Sequence, residues 1–266
     1  MSLTVAAADA PLALAEASEV LGAGCRERAL PGGRVALDFW LPAPAPGRVD
    51  ETRERLQRAG IVAGVEEATE GNQWQEALRA FHRPVEIAGR ILVRPPWEPA
   101  RPGLADVVID PGMAFGTGQH ATTRSCLELL ADLPPGSLLD VGCGSGILAI
   151  AARRLGHDPV WAVDADPLAV EATIANARTN GVGITVARRT VGRDRLPPAR
   201  HVIGNLTATV MPQLAQELAA APPEGAILSG LRPAEAPGVL GAFAPLGLRE
   251  AARIDRDGWT TLLVAR

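Results

Sequence analysis

Three glycines at alternate positions, Gly142, Gly144 and Gly146, stand directly behind Asp140 in the stretch Ser137–Ile150, SLLDVGCGSGILAI. The apolar residues before Asp140 read as a buried strand, and those after Gly146 as the start of a helix. Glycines at such a junction let the backbone turn tightly and let a ligand approach main-chain N–H groups that a Cβ would shield. The helix start adds partial positive charge. Together these features describe a pocket for a nucleotide-like ligand. The spacing D-x-G-x-G-x-G is tighter than the G-x-G-x-x-G that holds a dinucleotide pyrophosphate, which disfavours an NAD oxidoreductase.

Asp164 ends the next apolar strand, Val160–Val163, about 20 residues beyond the glycines, where a carboxylate can accept both ribose hydroxyls of an adenosine. The Asp166-Pro167 pair behind it supplies the following helix with its own cap, which leaves Asp164 for the ribose. Asp140 either orients the glycine loop or holds a cationic end of the ligand, and neighbouring backbone N–H groups are expected to keep it ionised.

Composition removes several chemistries. The chain has no Lys and no Tyr, so Schiff-base formation, P-loop phosphate transfer and Tyr-dependent reduction each lack their key residue. Net charge is −4 with no basic run, which argues against a nucleic-acid partner and favours a basic one. Cys25, Cys126 and Cys143 are scattered, suggesting neither a zinc site nor a disulfide framework. No apolar run reaches the length of a membrane span, and the N-terminus has no basic region ahead of an apolar one. The expectation is a cytoplasmic monomer with no membrane partner.

The elements that must position these residues fall into two groups. Residues 3–65 follow the order β-α-β-β-α-β, with a strand pair around Pro31-Gly32-Gly33 and a charged helix over Val49–Ala59, which fits a ferredoxin-like unit. A short helix at Trp74–Phe81, a strand at Val85–Val93 and a proline-rich connector to Pro102 follow. From there β and α alternate, implying a mostly parallel sheet with helices on both faces. A helix over Thr207–Ala221, a weaker one over Ala234–Ala244 and a C-terminal antiparallel pair through Asp257-Gly258 complete it. The expected division is a small α+β domain at 1–72, a helix and linker at 73–102, and an α/β cofactor-binding domain at 103–266.

The glycine loop resembles motif I of the class I S-adenosylmethionine (SAM) dependent methyltransferases, Rossmann-like folds that end in an antiparallel hairpin. The stretch Asp110–Thr123, DPGMAFGTGQHATT, narrows this. With DVGCGSGILAI, VDADPLAV, NARTNG and IGNL, it resembles the signature of the ribosomal protein L11 methyltransferase family. The resemblance implies SAM as cofactor and ribosomal protein L11 as substrate, methylated on lysine ε-amines and on the N-terminal α-amine, with the N-terminal domain recognising L11. It also implies that Phe115, Gly116 and Thr117 form one wall of the pocket, with Thr117 reaching the cofactor and the ring of Phe115 near the reaction channel.

By the same resemblance, Asn205 in Gly204-Asn205-Leu206 faces the transferring methyl and accepts a hydrogen bond from a neutral amine. Such a transfer needs alignment and a deprotonated amine but no covalent residue. His120 either accepts near the pocket or caps the helix that follows it. Transfer to a different acceptor, or a silent SAM-binding module, remain as alternatives.

Overall fold

Leu3 and Val5 are buried while their neighbours along Ser2–Ala6 are not, the alternation of a strand with one face on a core. This strand, β1, opens the first of two units into which the computed structural model divides, Met1–Leu78 and Arg79–Arg266. The structure describes residues 2–21, 25–39, 46–66, 83–110 and 118–266. The expected helix at Trp74–Phe81, the residues Phe115, Gly116 and Thr117, and most of the loop that holds these three lie outside them.

In the first unit β1 is followed by α1 (Ala10–Leu21), β2 (Cys25–Leu30), β3 (Arg34–Phe39), α2 (Pro46–Arg58) and β4 (Gly64–Glu66). The strands form an antiparallel sheet in the order β2-β3-β1-β4. Gly32 and Gly33 take positive φ in the β2–β3 turn, as expected of that Pro-Gly-Gly sequence. Leu3, Leu21, Leu37, Phe39 and Leu56 form the core between sheet and helices. This is the ferredoxin-like arrangement.

The second unit begins with β5 (Val85–Ile87), β6 (Ile91–Arg94) and β7 (Ala105–Val108), a three-stranded sheet with β6 in the centre. Sequence periodicity suggests one strand over Val85–Val93. The structure instead folds it into a hairpin, because Ala88 and Gly89 adopt left-handed φ and the Arg90 N–H closes the turn on Ile87.

Then follow α3 (Ala121–Asp132), β8 (Leu138–Val141), α4 (Ile147–Arg154), β9 (Val160–Asp164), α5 (Pro167–Thr179), β10 (Thr185–Arg188) and β11 (His201–Asn205). The chain ends with α6 (Met211–Leu218), β12 (Gly225–Leu231), α7 (Ala236–Phe243), β13 (Arg249–Arg256) and β14 (Trp259–Ala265). The helix expected from Thr207 starts only at Met211. Residues 207–210 form a turn closed by Val210 N–H on Thr207, and Pro212 takes the first-turn position that needs no donor.

Seven strands line up as β10-β9-β8-β11-β12-β14-β13, all parallel except β14, which runs antiparallel to both β12 and β13. Asp257 and Gly258 supply the two positive φ values that a tight hairpin between β13 and β14 requires. One apolar layer joins Cys126, Leu127, Leu130, Ile147 and Ile150 of α3 and α4 to Leu138, Ile203 and Ile227 of the sheet. The other joins Leu214 and Phe243 to Leu139, Val141, Val163 and Val202. Strand order reverses between β8 and β11, and at such a switch point an open α/β sheet forms a crevice beyond its carboxyl strand ends.

Candidate functional site

Asp140, Asp164 and Asn205 stand at the carboxyl ends of three neighbouring strands, β8, β9 and β11. The loop leaving β8 turns over them. Gly142, Gly144 and Gly146 all have positive φ, at 74°, 53° and 79°, and the N–H groups of Gly142 and Cys143 both bond to the Val163 carbonyl.

Each of two loop glycines touches a specific side chain. A Cβ on Gly142 would lie 2.4 Å from Leu206, the neighbour of Asn205. One on Gly146 would lie 2.8 Å from Thr173 of α5. The loop is therefore packed too closely for any other residue at Gly146, whose left-handed φ also disfavours a side chain. Thr173 completes the contact by donating its hydroxyl to the Gly144 carbonyl.

Asp164 binds the same loop from the other side. Its Oδ2 accepts the Gly144 N–H at 3.0 Å, and its Oδ1 accepts the Asp166 N–H at 3.0 Å. Asp166 accepts the Leu168 N–H as the cap of α5, with Pro167 at the first helical position, as its sequence predicts. The Asp164 carboxyl stays partly exposed at the crevice and keeps lone pairs for further donors.

Asp140 departs from expectation. Its side chain is fully buried, Oδ2 accepts only the Ala149 N–H, and Oδ1 is without a partner among the described residues. Burial pushes its pKa up to about 7, opposed by the Ala149 hydrogen bond and reinforced by the charge of Asp164. One backbone donor is too little to keep a fully desolvated carboxylate ionised at neutral pH, so the charge the sequence suggests is only partly held.

At the end of β11, Asn205 donates from Nδ2 to the Thr122 hydroxyl at 3.2 Å. Thr122 sits 2.7 Å from Nδ1 of His120, and that same ring nitrogen accepts the Thr122 backbone N–H as the cap of α3. The capping reading of His120 is thus the one the geometry displays. The ring also meets Trp259 edge-on at 5.4 Å, and the Arg232 guanidinium lies 3.9 Å over the indole.

Sequence reasoning overlooked the residues that hold the two loops together. Asn180 accepts the Val108 N–H and donates to the Val108 carbonyl, fixing the end of β7. Asn176 donates to the Ser145 carbonyl in the glycine loop and accepts the Asp110 N–H at the start of the other loop. Asn176 in the last turn of α5 and Asn180 at its C-cap lie one turn apart, a spacing that places both on one face and was legible as such. What they bind was not, since their partners are far away in sequence.

Comparison with known proteins agrees with this architecture. The family model "Ribosomal protein L11 methyltransferase (PrmA)" matches residues 48–266. A ribosomal protein L11 methyltransferase of Gloeobacter violaceus is 38% identical over 248 residues, covering 89% of this chain and 78% of that one. One from Symbiobacterium thermophilum is 37% identical, covering 87% and 81%. A crystal structure of a ribosomal protein L11 methylase from Lactobacillus delbrueckii subsp. bulgaricus superposes with a TM-score of 0.63 at 27% identity, covering 70% of this chain and 99% of that one.

Proposed function

The chain belongs to the ribosomal protein L11 methyltransferase family, and from that premise we propose that it transfers methyl groups from S-adenosylmethionine to amino groups of ribosomal protein L11. The acceptors are lysine ε-amines and the N-terminal α-amine. Residues 1–72 recognise the protein substrate, residues 73–102 connect, and residues 103–266 carry out the transfer. The enzyme works as a monomer in the cytoplasm without contacting nucleic acid. Among the described residues no helix is long and apolar enough to cross a membrane.

The observation that carries this reading is that Asp164, tethered to Gly144, and Asn205 stand at the carboxyl strand ends on either side of β8. The residues fit the cofactor on three counts. The N–H groups of Gly142, Cys143 and Gly144 are already held by Val163 and Asp164, so what the glycine loop presents is a fixed stretch of backbone that carries no Cβ at its glycines. Asp164 presents spare lone pairs for ribose hydroxyls. Asp140 holds a buried oxygen that meets no partner among the described residues, suited to orienting a loop around a cationic ligand. Gly116, Thr117 and Phe115 complete the wall in this reading.

Bound S-adenosylmethionine supplies an electrophilic methyl group on a sulfonium. The chain then has to align an amine and accept it in its neutral form, which desolvation favours. Asn205 Oδ1 accepts an N–H of that amine and so aims its lone pair.

Mass spectrometry of purified L11 after incubation with enzyme and S-adenosylmethionine tests the proposal. The added mass of one or more methyl groups on lysines or the N-terminus is expected; unmodified L11 would refute it. The enzyme has no Lys, so ε-methyl label cannot come from the enzyme itself. The family match begins at residue 48, leaving more than half of the first unit outside it. That favours, as a second reading, a different protein acceptor, which label on a protein other than L11 would support.

A further inference from the structure

Asn205 can serve an amine only if its oxygen, and not its NH2 group, faces the crevice. The two ends of an amide have nearly the same shape, so some neighbour must choose between them. Thr122, buried at 2% exposure in the first turn of α3, is in a position to do so.

Its hydroxyl has one proton and two lone pairs. The proton has a definite destination. Nδ1 of His120 lies 2.7 Å away, and the Thr122 backbone N–H also points at it, so Nδ1 must be an acceptor. His120 therefore carries its ring proton on Nε2 when neutral, and the Thr122 hydroxyl donates to Nδ1. What the hydroxyl has left for Asn205 is a lone pair, which only the NH2 end can use, at 3.2 Å. Oδ1 is thereby turned away, and among the described residues no donor meets it. Gly230 leaves room beside that oxygen, since a Cβ there would stand 3.2 Å from Oδ1 and 2.4 Å from the Leu206 carbonyl. His120 in turn is kept in place by the edge of Trp259.

We propose that Thr122 is a positioning residue for methyl transfer: its hydroxyl, polarised by His120, fixes the Asn205 amide with its oxygen toward the incoming amine. This inference rests on the methyl-transfer reading above. The chain of contacts runs from His120 through Thr122 to Asn205 and joins α3 to β11 across 83 residues.

The replacement Thr122→Val keeps the shape and removes the hydroxyl. With the full-length enzyme, L11 and S-adenosylmethionine, T122V is expected to lower kcat about ten- to a hundredfold, the scale of a small misplacement at a reacting centre. KM for L11 and the Kd for S-adenosylhomocysteine should stay within about twofold, and T122S should restore kcat. In the N205A background, T122V should cost nothing further, because the group it positions is gone.

Equal kcat in T122V and the wild type would overturn the proposal, as would a loss that multiplies with that of N205A. So would a T122S enzyme as impaired as T122V. If T122V does not fold, T122C, whose sulfur is a weak acceptor in nearly the same volume, is compared in the same way. Wild-type enzyme that leaves L11 unmodified refutes the methyl-transfer reading itself; wild-type activity with an indifferent T122V refutes only the role of Thr122.

Discussion

Asp164 Oδ2 accepts the backbone N–H of Gly144 at 3.0 Å, so the acid that ends β9 is joined to the loop that leaves β8. An exposed acid at a strand end could swing freely. This one is held by two backbone donors, the second from Asp166, with its remaining lone pairs facing the crevice. Replacing it therefore removes the proposed ribose acceptor and loosens the loop together. For D164A, titration calorimetry with S-adenosylhomocysteine should show binding weakened by about 3 kcal/mol, the sum of one or two charge-assisted hydrogen bonds. D164N, which keeps one acceptor, should fall between. Unchanged affinity in D164A would remove Asp164 from the site.

Asn205 makes the opposite prediction. N205A should bind S-adenosylhomocysteine as the wild type does and methylate L11 about 100- to 1000-fold more slowly, the usual cost of losing one oriented polar group at a reacting centre. Single-turnover rates and calorimetry on the same preparations separate the two effects. An enzyme with normal turnover would rule out the role assigned to Asn205.

Gly146 and Gly181 both have positive φ, at 79° and 61°, but only Gly146 has a neighbour in the way, Thr173 at 2.8 Å. G181A should cost only the left-handed backbone, about 1 kcal/mol. G146A adds the clash and should be clearly less stable than G181A in thermal melts, with weaker cofactor binding as well. Equal melting temperatures for the two variants would show that the loop yields without strain.

The buried Asp140 gives stability a pH dependence of known sign. Its pKa in the folded state is raised to about 7, while in the unfolded chain it sits near 3.9. Its contribution is thus fully present below about pH 4, is lost as pH rises toward 7, and is constant above. D140N, isosteric and always neutral, should gain melting temperature relative to the wild type progressively from pH 4 to 7 and no further beyond. His157 and His201, a buried edge-to-face pair whose pKa values are lowered chiefly by burial, act in the reverse direction. They destabilise as pH falls below about 6.5. Both proteins share them, so the difference between D140N and the wild type isolates Asp140; a difference that does not vary with pH would contradict the shift.

Asn180 is the test of the loop attachment. N180A leaves the N–H and carbonyl of Val108 without their partners in a buried position. The expected loss is roughly 2–4 kcal/mol of stability in denaturant unfolding. A loss below about 0.5 kcal/mol, the range of ordinary surface substitutions, would mean that water takes over these bonds.

Much of this protein is written locally. The glycine spacing behind Asp140, the Asp166-Pro167 cap and the Asp257-Gly258 hairpin each depend on the φ and ψ that a few adjacent residues can adopt. A sequence states such preferences directly. For that reason the order of elements in both units, the glycine loop and the strand-end acids were legible. The local signal fails where a turn is hidden inside an apolar run. Val85–Val93 alternates like one strand, yet Gly89 reverses it.

The partnerships of the site were decided only in three dimensions. Thr122 meets Asn205 across 83 residues, and Asn180 meets Val108 across 72. Leu206 fills the space that the missing Cβ of Gly142 leaves. Each depends on β11 lying beside β8 rather than beside β10, a choice made by packing two apolar layers against one sheet. The charge of Asp140 belongs to the same class, because it follows from how completely α4 and the strands exclude water from one carboxyl group. Sequence determined which residues stand at the strand ends; tertiary burial decided which of their atoms remain available for chemistry.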